Sequence, residues 1–151
     1  MPELPERLKR NGRADDQSFD PPERLFRRYR SDDFFEGQFS PVGLSFSSPQ
    51  SVNREKYSEP QDVLWSESDR FKDWGVLAFA VSDIPTAFPL EQPAYTFSPK
   101  HTPEENNYSH TEVWCDSLLP SGSYKKPNSQ VRKLFRAFLS QRVRIVIPSS
   151  Q

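Results

Sequence analysis

The run Gly75-Val-Leu-Ala-Phe-Ala-Val81 is the longest unbroken apolar stretch in the chain, and it limits the fold more than any other feature. Val76 to Val81 shows no polar alternation and is too short for an independent helix. That is the pattern of a strand covered on both faces, expected here at the centre of a sheet. Other segments supply neighbours. Arg24-Leu-Phe-Arg-Arg-Tyr-Arg30 reads as a strand with Leu25, Arg27 and Tyr29 on one face and Phe26, Arg28 and Arg30 on the other; a single helical turn competes with it. Ala94–Ser98 and His110–Asp116 alternate in the same way. Val143–Ile147 is a strand by its β-branched content, stopped by Pro148. The turn-rich stretch from Asp32 to Pro49 reads as loop with one short strand near Val42–Phe46.

Two segments read as helices. Ser58-Glu-Pro-Gln61 has a capping residue, a first-turn proline and a Gln at the capping-box position, and Val63, Leu64, Phe71 and Trp74 then fall on one face as far as Gly75. Val131, Leu134, Phe135, Phe138 and Leu139 follow the spacing i, i+3, i+4, i+7, i+8, with Asn128 or Ser129 as cap. The class is α+β: one mixed sheet of about four to six strands with two main helices.

The chain has 151 residues, room for a single domain with one core. Only 34% are hydrophobic and 15 are proline, so much of it is expected to be loop. Residues 1–20 read as a disordered or extended arm, 21–148 as the domain and 149–151 as a tail. The single cysteine, Cys115, excludes an internal disulfide framework and a multi-cysteine zinc site, and its place in the alternation turns it inward. The opening residues lack the apolar core of a secretory signal, and no apolar run nears the roughly 20 residues needed to cross a bilayer. A cytoplasmic protein without a membrane partner is the expectation.

Charge is unevenly divided. Residues 1–30 hold eight basic and six acidic side chains, 31–116 five basic and fifteen acidic, and 117–151 seven basic and none acidic. Within that last third lie Lys125, Lys126, Arg132, Lys133 and Arg136, and the helical ones fall off the apolar stripe as a solvated ridge. Such a surface suits nucleic acid or an acidic protein, or balances the acidic middle of the same chain. His110 and Glu112, at i and i+2 of a strand, project to one side, so that a carboxylate could orient an imidazole for acid–base work. Asn106, Asn107 and Tyr108 could add hydrogen-bond donors. The same residues also suit the plain outer face of an edge strand. Arg27 and Arg28 could hold a phosphate-bearing ligand or nucleic acid, or pair with the acidic middle. His101, Glu104, Glu105 and His110 match no zinc spacing, and the five glycines form neither a P-loop nor a dinucleotide fingerprint. No metal or other cofactor is expected.

The segments Leu25–Tyr29, Ser51–Pro60, Gly75–Ile84 and Asn107–His110 resemble a group of small bacterial proteins. That group shows an Arg-bearing first strand, a serine–hydrophobic–Asp/Asn step, a Gly-led apolar strand and an Asn…His motif before a strand. The likeness spans about residues 25–147 and implies no activity. Two functions are compatible with these features. One is an accessory protein acting through the basic C-terminal surface on nucleic acid or a larger partner protein. The other is a small transferase or hydrolase using His110, Glu112 and an anion-binding Arg27 or Arg28. Oligomeric state stays open.

Overall fold

The structure, a computed structural model, describes residues 3–30, 32, 34–35, 38–39, 49–89, 95–117 and 129–150. Its frame is a six-stranded sheet: β1 (Arg24–Tyr29), β4 (Gln50–Arg54), β5 (Gly75–Ala80), β6 (Tyr95–His101), β7 (His110–Ser117) and β8 (Arg144–Ile147). The spatial order is β6-β7-β4-β1-β5-β8, and every pairing is antiparallel. A separate two-stranded ladder joins β2 (Phe34–Phe35) to β3 (Gln38–Phe39). The α+β class holds, but the sheet is not mixed. β4 and β1 occupy its centre, and the apolar strand β5 lies one place from the edge strand β8. β5 is still buried on both faces, because its partners and two separate clusters cover it.

One helix is present among the described residues, α1 (Ser129–Ser140), not two. Its stripe Val131, Phe135 and Leu139 packs on the sheet face built from Leu25, Tyr29, Val52, Leu77, Phe79, Phe97, Val113 and Cys115. Phe97 and Phe135 stack at 3.8 Å between centroids, so β6 and α1 are joined through one aromatic pair. The second expected helix is a short 3-10 turn, Pro60–Leu64, followed by further turns. The Asp62 carboxylate accepts the Glu59 N–H at 2.8 Å, while the Ser58 hydroxyl donates to the Arg54 carbonyl at 2.7 Å instead of capping. Ser66, Ser68 and Asp69 favour turns over helix interior, and Asp69 sits at φ +58°, which no helix can include. The apolar residues of this stretch are nevertheless used. Val63 and Leu64 close over Phe26, Val76 and Ala78 on the sheet face opposite α1, and Phe71 is buried.

β4 was not expected, and the strand placed near Val42–Phe46 lies outside the described residues. Residues 3–20 run along the domain and are tied to it. Leu8 is buried and its carbonyl accepts the Tyr108 N–H, Arg10 N–H donates to Glu105, and the Tyr108 hydroxyl donates to the Ala14 carbonyl. Arg54, fully buried, holds the far end of this segment: it donates to the carbonyls of Asp16 and Ser18 and makes a two-point ion pair with Glu23. No helix among the described residues is long and apolar enough to cross a membrane.

Candidate functional site

The sheet face away from α1 is only partly covered, and the gap is a cleft of about 760 Å³. Its lining comes from three places. β1 supplies Arg28, β4 supplies Ser51 and Asn53, and β7 supplies His110. The turns after β4 supply Asp62, Trp65, Phe71 and Trp74, and the loop before β7 supplies Glu104, Asn106 and Asn107. The pairing places Phe26 opposite Asn53 and Asn53 opposite His110, so the short polar side chains of β4 lie between an arginine-bearing strand and a histidine-bearing one.

His110 is held in one ring form. Its Nδ1 lies 2.9 Å from the Thr102 carbonyl, which can only accept, so Nδ1 carries the proton and Nε2 keeps its lone pair in the neutral ring. The Thr102 hydroxyl adds a second contact to Nδ1 at 3.0 Å. On the other side the Ser51 Oγ stands 3.3 Å from Nε2 and donates to it, and the Glu104 carboxylate is 4.0 Å away. The ring is 15% exposed, whereas Ser51 faces solvent. Glu112, the carboxylate expected to orient His110, is not placed to do so. It sits in register opposite Ser51 on one side and Lys100 on the other, does not line the cleft, and makes no bond to His110 among the described residues. Nor is β7 an edge strand: β6 covers one side and β4 the other.

The cleft also gathers hydrogen-bond donors that have no acceptor among the described residues. Asn53 accepts from Asn107 Nδ2 at 2.8 Å through its own Oδ1, and Asn107 in turn accepts from the Ser109 hydroxyl. The Asn53 Nδ2 is buried without a partner among the described residues, as is the Trp65 indole N–H. A buried amide left this way carries a desolvation cost of about 1–3 kcal/mol, which an acceptor arriving in the cleft would offset. Arg28 stacks on Phe71 at 3.9 Å and reaches the Val63 carbonyl at 3.3 Å. Burial, then repulsion from Arg70, lowers its pKa, and no carboxylate among the described residues pairs with it. The one buried acid of the cleft, Asp62, is neutralised from outside by Arg7, with two contacts of 2.6 Å. Arg27 also borders the cleft, where it bonds to the Ser51 carbonyl at 3.2 Å.

The cleft thus unites His110, Arg28 and Arg27 with Ser51 and Asn53, while Thr102 holds His110 by its Nδ1; the sequence alone did not single out Ser51, Asn53 or Thr102 as site residues. The only hint was the Ser51-Val-Asn53 step, whose outer residues share a strand face once β4 is known to be a strand. The basic C-terminal residues lie elsewhere. Lys133 is exposed on α1, Arg132 and Arg136 are half-buried, and Lys125 and Lys126 lie outside the described residues. Comparison with protein-family models, with curated proteins and with solved structures gave no match.

Proposed function

We propose that this protein is a small hydrolase or group transferase that takes an organic anion into the cleft between β1, β4 and β7 and uses His110 as its acid–base group. What supports this is one juxtaposition: a guanidinium with no carboxylate partner and two N–H donors with no acceptor among the described residues face the same concave space as an imidazole of fixed ring form. Arg28 provides the charge for a carboxylate or phosphate, Asn53 and Trp65 provide directional donors, and Phe71 and Trp74 provide apolar wall for the rest of the molecule. His110 Nε2 accepts a proton in one step and returns it in the next.

The test uses two chromogenic anions, mono(4-nitrophenyl) succinate and 4-nitrophenyl phosphate. Saturable release of nitrophenolate from at least one is expected, with KM raised by Arg28→Met and kcat lowered about 10²–10⁴-fold by His110→Ala. If the folded protein neither binds nor turns over either compound, this reading fails.

A second reading is favoured by Lys133, which stands exposed on α1 with no ion pair among the described residues. There the basic face of α1 docks on nucleic acid or an acidic protein. Electrophoretic shifts with RNA and DNA over a salt series would show a steep loss of affinity with salt if it holds, and no shift at any salt if it does not.

A further inference from the structure

We infer that Ser51 is a covalent nucleophile, activated by His110 and positioned through it by Thr102. This rests on the cleft reading above and deepens it, naming esters of anionic acids as the substrate class. The sequence of contacts is Ser51 Oγ–H to His110 Nε2 at 3.3 Å, then His110 Nδ1–H to the Thr102 carbonyl at 2.9 Å. An unliganded nucleophile and base are commonly this far apart and close up when substrate excludes water. The order is the one that chemistry requires: an exposed hydroxyl, a half-buried base, and a fixed acceptor behind it. The Thr102 carbonyl serves the imidazolium as well as the neutral ring, because Nδ1 keeps its proton in both. The Glu104 carboxylate lies 4.0 Å from Nε2.

Ser51 and Asn53 alternate onto one side of β4, next to one another along the strand. The Asn53 Nδ2 has no acceptor among the described residues, the residue is 3% exposed, and its carbonyl end is already occupied by Asn107. Its amide N–H is therefore available to an oxygen that gains charge beside Ser51, as a fixed donor that need not reorganise.

The step balances without an added reagent. Ser51 Oγ bonds to the acyl carbon while its proton passes to Nε2, and the carbonyl oxygen takes the electron pair. As the pair returns, the carbon–oxygen bond to the leaving alcohol breaks, and that alcohol takes the proton from Nε2. Water then gives a proton to Nε2 and its oxygen to the acyl carbon. Ser51 leaves, reclaims the proton, and the sum is ester plus water to acid plus alcohol.

The probe is a fluorophosphonate, in which a bond from Ser51 Oγ to phosphorus replaces phosphorus–fluorine and fluoride departs. Intact-mass spectrometry should show one adduct, mapped by peptide mass to Ser51, absent in Ser51→Ala and slowed at least 100-fold in His110→Ala. Fluorescence of the cleft tryptophans, titrated with succinate, should be unchanged by Ser51→Ala and weakened by Arg28→Met. An unlabelled native protein, or a label that persists in Ser51→Ala, overturns the nucleophile. If Ser51→Ala still hydrolyses the nitrophenyl ester at the native rate, the nucleophile is also overturned, yet the anion cleft and His110 acting on water survive. Loss of the succinate response in the native protein would instead remove the cleft reading itself.

Discussion

Gly75 shows how tightly single residues are specified. It stands opposite Tyr29 in the β1–β5 ladder, and a Cβ built on it would lie 2.3 Å from the tyrosine ring. The ring crosses directly over the glycine, and its hydroxyl accepts the Ser149 N–H at 3.1 Å, tying the chain after β8 back to β1. Gly75→Ala should therefore cost about 1–3 kcal/mol, read as a fall in thermal midpoint, and much less in a Tyr29→Ala background where the clash is gone. Cys115 is specified differently. Burial pushes its thiol up to about 12, and no solvent reaches it. A neutral disulfide reagent at mildly alkaline pH should leave it unreacted in the native protein and modify it at once in guanidinium; rapid native labelling would contradict the packing described.

At the level of elements, what could be read from the chain depended on whether pattern alone decided the outcome. β1, β5, β7, β8 and α1 follow from alternation, apolar runs or helical spacing, since each owes its state to its own residues. β4 does not. Its Gln50, Asn53 and Arg54 are polar yet buried, so the strand looks like loop until its partners are known. The stretch after Ser58 failed in the opposite sense: apolar spacing and a plausible start suggested helix, while Ser66, Ser68 and Asp69 enforced turns. The site inherits these limits. His110 and Arg28 could be singled out as reactive types, but Ser51, Asn53 and Thr102 meet them only through the β4–β7 and β6–β7 registers, which no local pattern encodes. Arg54 carries β4's energetic weight. Replacing it by Met leaves Glu23 enclosed without a counter-charge, and a loss of about 3–5 kcal/mol in denaturant unfolding is expected. A loss below about 1 kcal/mol would mean that Glu23 finds another partner.

Across the whole molecule, the strand sheet and the N-terminal segment are coupled through His101. Its Nδ1 accepts the Asp16 N–H at 2.8 Å, its Nε2 donates to the Tyr108 carbonyl at 2.6 Å, and its ring stacks on Tyr57. Protonation would set one N–H against another. Burial first, then the nearby Arg54, holds the pKa of His101 below its ordinary 6.5, against opposing pulls from the Tyr108 carbonyl, Asp16 and Asp15. Because the folded form binds the proton less well than the unfolded one, the stabilisation is complete above pH 6.5 and is lost as pH falls through the lowered value. Asp16 does not offset this there, since Lys56 first, with Ser18 and Tyr57, keeps its carboxylate ionised far below the usual range. Thermal midpoints should decline on acidification from pH 6.5, with cleavage by a broad-specificity protease appearing first within residues 3–20, and His101→Gln should flatten that dependence. The same attachment governs the order of assembly. Arg7 waits for Asp62, Asp16 for His101 and Leu8 for Tyr108, so this segment docks only on residues that lie far along the chain from it. Closing such long loops is entropically slow, and the leading segment should be the last to gain exchange protection during refolding.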